Sequence, residues 1–249
     1  MKLVCILFSL ASLACGQIRV AVIAHRGEHL QHPENTLPAY QAAIEAGADF
    51  IEVDVRTTSD GKLVAMHDRT VDSMTNGKGL VKQLTFAQIR ALDVRGSQVP
   101  AFDEALQLAR GKIGVYVDSK DVSAADMIDA VERYQMQDKI VVYGAYEYLK
   151  QVAALRPRIR IMPESMTAAA CQEIIDELHP KVIAFDARDF TDAIIRLAKD
   201  AGADIYVDRF GTADTPVGWQ DAIDRGATGI QTNKPAELVE YLRSRHYHN

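Results

Sequence analysis

I-E-V-D-V-R-T-T-S-D-G-K-L-V-A-M-H-D, residues 51–68, is the stretch on which the strand count turns. Its first half alternates. Ile51, Val53 and Val55 leave one face and Glu52 and Asp54 the other, because successive strand side chains point to opposite faces. Two carboxylates two residues apart stand roughly 6.5–7 Å apart along a strand, a spacing that suits one hard cation between them. Asp60-Gly61 marks a hairpin turn, and the apolar run 63–66 leads to His67. A hairpin folds His67 back towards Glu52 and Asp54. A parallel neighbour needs a crossover of about a dozen residues or more, and only residues 56–62 separate Val55 from Leu63. Residues 63–67 are therefore read as a local antiparallel addition, not as a stave of the main sheet. Taken alone, the stretch also fits a solvated edge strand with two surface acids and a histidine.

Strand-like runs flank it on both sides. R-V-A-V-I-A at 19–24 ends in His25-Arg26-Gly27, which puts two basic side chains at a strand tip with a glycine to turn the chain. Further runs stand at 50–55, 113–118, 139–143, 159–162, 182–185, 204–207 and 228–231. Helical patterns separate the later runs, at 124–135, 146–155, 167–178, 190–201, 215–225 and 235–245. An earlier helix starts at Asn35 or Thr36, with Pro38 in its first turn, and ends at Gly47. Residues 69–100 are rich in polar and glycine positions and hold one short helix, about 85–91, so they read as an insertion. The helix from Phe102 to Arg110 follows. Eight strand–helix units in this length predict an α/β fold, a (β/α)₈ TIM barrel with a small inserted excursion after the second strand. An open doubly wound sheet is the rival, but no glycine-rich dinucleotide loop follows the first strand.

The chain has 249 residues, a formal charge of −6 and 48% hydrophobic residues, enough for one large core. No basic stripe points to nucleic acid. Residues 1–16 carry Lys2 as their one charge, then an apolar core and small residues, and read as a signal peptide. They are too short to span a membrane. The expectation is an exported protein, periplasmic or extracellular, with residues 17–249 forming a single barrel domain. A rival cut before Cys15 would leave a lipid anchor there. Cys5 and Cys15 fall within the leader, so Cys171 stands alone in the remainder and forms no internal disulfide. Cys171 reads as a small core residue within a helix, and the tail with His246 and His248 as disordered.

A barrel carries its site at the C-terminal ends of its strands. His25, Arg26, Glu52, Asp54, His67, Asp118 and Lys120 all fall there, and Asp118-Ser119-Lys120 closes the third stave. Charges of both signs gathered at one place are costly unless they serve each other or a ligand. This set suits phosphate-ester cleavage. A divalent cation on the carboxylates Glu52, Asp54 and Asp118 polarises a phosphoryl oxygen. Arg26 and Lys120 neutralise the remaining charge. The two histidines supply a base and an acid near neutral pH. His29, His32 and His179 lack such a context.

In order, H-R-G at 25–27, P-E-N-T at 33–36, G-A-D-F-I-E-V-D-V-R-T-T-S-D-G at 47–61, H-D at 67–68 and T-N-G-K-G at 75–79 resemble the glycerophosphodiester phosphodiesterase family. The resemblance runs along nearly the whole chain after the leader. It implies a (β/α)₈ barrel, His25 and His67 as the acid–base pair, and Arg26 as a phosphate holder. It also implies Glu52 and Asp54 as ligands of one divalent cation, Ca²⁺ or Mg²⁺. The implied reaction takes a small-molecule glycerophosphodiester to glycerol 3-phosphate and an alcohol. Three departures stand out: Asp118 where the family has Glu, V-D-R-F-G at 207–211 where it has a Trp-Thr-Val-Asn-like run, and Thr232-Asn233-Lys234-Pro235 where it has T-D-x-P. Two other functions fit the same rim. One is a phospholipase-type phosphodiesterase acting on intact lipid. The other is an exported phospho-polyol binding protein without turnover.

Overall fold

The computed structural model describes residues 19–249, so the leader expected at 1–16 and Cys15 lie outside the described residues. The strands are β1 (Ala21–Ala24), β2 (Phe50–Thr57), β3 (Leu63–Ala65), β4 (Gly114–Ser119), β5 (Ile140–Tyr143), β6 (Arg160–Met162), β7 (Val182–Phe185), β8 (Asp204–Arg209) and β9 (Gly229–Thr232). All but β3 are parallel, in the order β6-β5-β4-β2-β1-β9-β8-β7. Beyond Met162 the ring closes through a parallel bridge between Glu164 and Ala184. Pro163 O accepts from Ala184 N at 2.9 Å, and Ala184 O accepts from Ser165 N at 3.2 Å. This is the eight-stave barrel expected from the alternation.

β3 pairs antiparallel with the end of β2, with Val55 opposite Ala65 and Thr57 opposite Leu63. That pairing carries β2 two residues beyond its expected end. The turn spans residues 58–62, with Gly61 at φ 75°. The insertion keeps a small core of its own. Val64, Met66, Val71, Val81, Ile89, Val94 and Val99 pack together there. The short helix within it, α2 (Phe86–Arg90), is capped by Thr85 and Gln88 in a reciprocal box.

Eight more helices cover the barrel: α1 (Leu37–Ala46), α3 (Phe102–Ala109), α4 (Ala124–Arg133), α5 (Tyr146–Leu155), α6 (Ala168–Leu178), α7 (Asp192–Asp200), α8 (Pro216–Arg225) and α9 (Pro235–Ser244). Their starts are written in the sequence. Thr36, Ser123, Thr167 and Thr215 each accept a first-turn N–H, and Pro38, Pro216 and Pro235 sit in first turns. Outward strand residues and inward helix faces form one apolar layer, which includes Ile51, Val53, Leu106 and Trp219. Inward strand residues fill the barrel: Ile23, Phe50, Tyr116, Val141, Met162 and Tyr206. The rings of Phe50 and Tyr206 occupy the space that a side chain at Gly114 or Gly229 would need. Strands buried on both faces explain the near-continuous apolar runs.

Cys171 is buried and free, as its helical setting suggested. The tail is a correction. Tyr247 O accepts from Val20 N at 2.9 Å, and His248 Nε2 lies 2.9 Å from Asp49 Oδ2 with its side chain 5% exposed. Asp49, just before β2, also accepts from Val22 N. With the Arg19 guanidinium as a third partner, these groups hold the carboxylate under the barrel, and the tail is ordered against it. No helix among the described residues is long and apolar enough to cross a membrane.

Candidate active site

Glu52 and Asp54 point into the barrel from β2, and Asp118 lies beside Asp54 in the β2–β4 register. One oxygen from each of these three carboxylates lies within 4.8 Å of the others. Asp is one methylene shorter than the Glu expected at this place, yet the Asp118 carboxylate reaches the cluster. Burial pushes the Glu52 carboxyl well above its usual range, and the charges of Asp54 and Asp118 push it further. Burial also raises Asp118, against the pull of Lys120. Three hard oxygen donors with like charges, two of them only 1% exposed, form a set that a divalent cation would neutralise. Asp54 Oδ1 is buried and receives no hydrogen bond of acceptable geometry, although Lys120 Nζ stands 3.0 Å away. The residues present fit such an ion.

The loop after β1 wraps this cluster. Arg26 sits at φ 54° and Gly27 at φ 84°. Arg26 N donates to Glu52 Oε2 at 2.7 Å, while its guanidinium meets Glu34 at 2.9 Å and Asp54 at 3.4 Å. Burial works against the charge of Arg26, but Asp54, Glu34 and Glu52 outweigh it and hold the guanidinium charged. A side chain at Gly27 would strike the Ala39 carbonyl carbon at 2.7 Å, so α1 packs directly on this turn. Asn35, also at φ 54° and fully buried, donates from Nδ2 to Asp54 Oδ2 at 2.7 Å and accepts from Tyr40 OH at 2.8 Å. Thr36, not Asn35, caps α1.

The two histidines stand at different walls. His25 Nδ1 lies 2.8 Å from Asn233 Oδ1, an acceptor, so Nδ1 carries the proton and Nε2 keeps its lone pair. Its ring packs 4.5 Å from that of Phe210. Burial and the neighbouring Arg26 charge lower its pKa to about 4. His67 Nδ1 lies 2.8 Å from Asp68 Oδ1. A hydrogen bond from Ser73, then the His67 contact, keep Asp68 below the usual carboxylate range. Arg56 fixes the loop: Nε and Nη2 donate to His67 O at 3.0 and 2.6 Å, and Nη1 donates to Asp121 at 2.8 Å. Lys120 stands between Asp54 and Asp118, 2.7 Å from Asp118 Oδ2, and ties the two carboxylates together. His29 Nδ1 donates to the His25 carbonyl oxygen at 2.7 Å.

Two clefts meet at Arg26. The axial cleft, about 130 Å³ at the barrel mouth, is lined by His25, His67, the three clustered carboxylates and a second arc of acids. That arc is Glu164 after β6, Asp186 after β7 and Asp208 on β8. The lateral cleft, about 310 Å³, runs between the β1–α1 loop and the insertion, past Asp68, Ser73, Met74 and Arg95. Sequence reading quoted Asn35, Asp208, Phe210 and Asn233 within motifs but gave them no part in the site, and it passed over Glu164 and Asp186. The arc was within reach: Asp208 shares an inward face with Tyr206, and Glu164 and Asp186 lie just beyond strand ends.

Residues 25–237 match the model of the glycerophosphoryl diester phosphodiesterase family. A glycerophosphodiester phosphodiesterase from Caldanaerobacter subterraneus subsp. tengcongensis is 29% identical, over 91% of this chain and 99% of that one. The crystal structure of a glycerophosphodiester phosphodiesterase from Agrobacterium tumefaciens superposes with a TM-score of 0.79 at 28% identity, covering 87% of this chain and 98% of that chain. A phosphodiesterase from Oleispira antarctica, solved with its product sn-glycerol-3-phosphate, shares the fold with a TM-score of 0.82 at 22% identity, over 90% and 96% of the two chains. With the barrel, the ordered motifs and the clustered carboxylates in agreement with these matches, the chain belongs to the glycerophosphoryl diester phosphodiesterase family.

Proposed function

We propose that the protein hydrolyses glycerophosphodiesters to glycerol 3-phosphate and an alcohol, with one divalent cation held by Glu52, Asp54 and Asp118. The observation that carries this reading is the meeting of that carboxylate cluster, Arg26 and two differently backed histidines at one barrel mouth. It is supported by family membership and by the glycerol phosphate bound to the Oleispira antarctica phosphodiesterase. The cation, Mg²⁺ or Ca²⁺, supplies Lewis-acid polarisation of a phosphoryl oxygen. Arg26 adds a charged donor to the phosphate and lies on the wall shared by both clefts.

His25 lines the axial cleft, as His67 does, but is backed by a neutral amide and keeps Nε2 unprotonated. It takes the proton of a glycerol hydroxyl, whose oxygen attacks phosphorus. His67, backed by a carboxylate, delivers a proton to the departing alcohol oxygen as the P–O bond breaks. The cyclic phosphate so formed is opened by water, with the two proton transfers reversed. Asp68 lines the lateral cleft, so the alcohol leaves on that side while the polyol stays axial. The apolar leader at 1–16 supports export as the setting.

Release of glycerol 3-phosphate from glycerophosphocholine, with EDTA, Mg²⁺ and Ca²⁺ compared, tests the reading. Release that EDTA stops and an ion restores is expected. No release with any ion, from several head groups, would overturn it.

A further inference from the structure

We propose that Asp208 and Gln231 are specificity-determining residues that bind the free hydroxyls of the substrate's polyol arm. The axial cleft would thereby take a deacylated polyol and reject one whose terminal hydroxyl is acylated or missing. The inference rests on the hydrolytic reading above for the placement of the two arms.

Asp208 and Gln231 are partners in the β8–β9 register and both line the axial cleft, across from the clustered carboxylates of β2 and β4. Gln231 is 6% exposed, and among the described residues no group hydrogen-bonds its side-chain amide, which opens onto the cleft. An amide held at a cleft wall with its hydrogen-bonding capacity free is available to a ligand. Asp208 is equally unclaimed. Its two neighbours in the arc are each engaged: Glu164 accepts from Tyr143 OH at 3.0 Å, and Asp186 accepts from Arg188 Nε at 2.7 Å. Among the described residues no group hydrogen-bonds or ion-pairs with the Asp208 carboxylate, and burial with the charges of Asp186, Glu164 and Asp118 pushes its carboxyl up to about 7.

The arc is not a second ion site. Among the described residues, Glu52, Asp54 and Asp118 form the one group of three whose ligand atoms close on a single point. Glu164, Asp186 and Asp208 therefore face something larger, with donors spread over several atoms. A polyol answers this. A hydroxyl can donate to the Asp208 carboxylate and accept from the Gln231 N–H, so both side chains are engaged. An organic cation would leave the Gln231 donors idle. An acyl chain would strip water from Asp208 and give nothing back. Phe210, against the His25 ring, offers an apolar face to the polyol carbons.

The test compares two probes on the Mg²⁺-loaded protein by calorimetry: sn-glycerol 3-phosphate, and propane-1,2-diol 1-phosphate, which lacks only the terminal hydroxyl. Glycerol 3-phosphate is expected to bind about 10- to 100-fold tighter, the range for a hydrogen bond to a charged group. Asp208→Asn and Gln231→Leu should each shrink that ratio while Mg²⁺ affinity and melting temperature hold. The kcat/KM for glycerophosphocholine should likewise far exceed that for its 1-acyl form, and the gap should narrow in Asp208→Asn. Equal binding of the two probes, or a ratio untouched by both substitutions, would overturn the proposal. So would competition by tetramethylammonium that is lost in Asp208→Asn, which would make the arc a cation site. Discrimination between the probes without turnover of any diester would sink the hydrolytic reading and leave the subsite standing.

Discussion

His25 and His67 differ in the group behind Nδ1, an amide in one case and a carboxylate in the other. On the proposed mechanism that difference separates base from acid, and it carries a pH prediction. A base must be unprotonated to act, and His25 is held near 4, below its ordinary 6.5. The acid limb of kcat/KM should therefore fall near pH 4, and activity should persist through pH 5–6, where an ordinary histidine would be protonated; a pH–rate profile checks this. His67→Ala should abolish turnover yet bind Mg²⁺ as the parent does, by calorimetry. Asn35 acts one step further out. It holds Asp54 from a left-handed backbone position, and the loss of such an outer partner costs a metal site about 10- to 100-fold in affinity. Asn35→Ala should show that loss by Mg²⁺ titration. Reading residues alone found seven charged members of the rim and gave no role to the acidic arc of Glu164, Asp186 and Asp208. It missed Asn35 and Asn233, because an amide that serves another side chain leaves no local pattern.

At the scale of elements, the β2–β3 hairpin and the β1–α1 turn set the histidines. Arg56 is 7% exposed and ties the His67 carbonyl to Asp121. Arg56→Ala should lower stability by about 1–3 kcal/mol and reduce kcat, with ion affinity kept, because the lost donors serve the loop and not the carboxylates. Denaturant unfolding and steady-state kinetics together separate the two effects. The hairpin was legible from Asp60-Gly61 and the short link. The exact end of β2 was not, since β3 lengthens it from outside. The insertion showed itself by its polar and glycine-rich letters. Its apolar cluster escaped notice because Val71, Val81, Ile89 and Val94 lie too far apart to make a period.

For the whole molecule, the barrel keeps chemistry at one end and stability at the other. The tail and Asp49 belong to the lower end. Deleting residues 247–249 should lower the melting temperature and leave kcat unchanged, as calorimetric scanning with an activity assay would record. At the upper end the clustered carboxylates repel one another, and the proposed ion would relieve that repulsion. Saturating Mg²⁺ at 100 times its Kd should add about 2.7 kcal/mol of stability. Glu52→Gln should lose that gain and leave the ion-free protein as stable as before or more so, because it removes a buried like charge.

Alternating apolar runs and capped helices are local properties, written in periods of two and 3.6 and in Thr, Ser and Pro at helix starts. They sufficed for eight staves, and for a site at their C-terminal tips. Contacts between distant segments have no such period. The pairing of His25 with Asn233, the clasp of Asn35 on Asp54, the strap of His248 on Asp49 and the arc from Glu164 to Asp208 arise only when the ring closes. Closure brings β1 beside β9 and sets β8 across from β4, and these neighbours are fixed by packing over the whole barrel rather than by any stretch of chain.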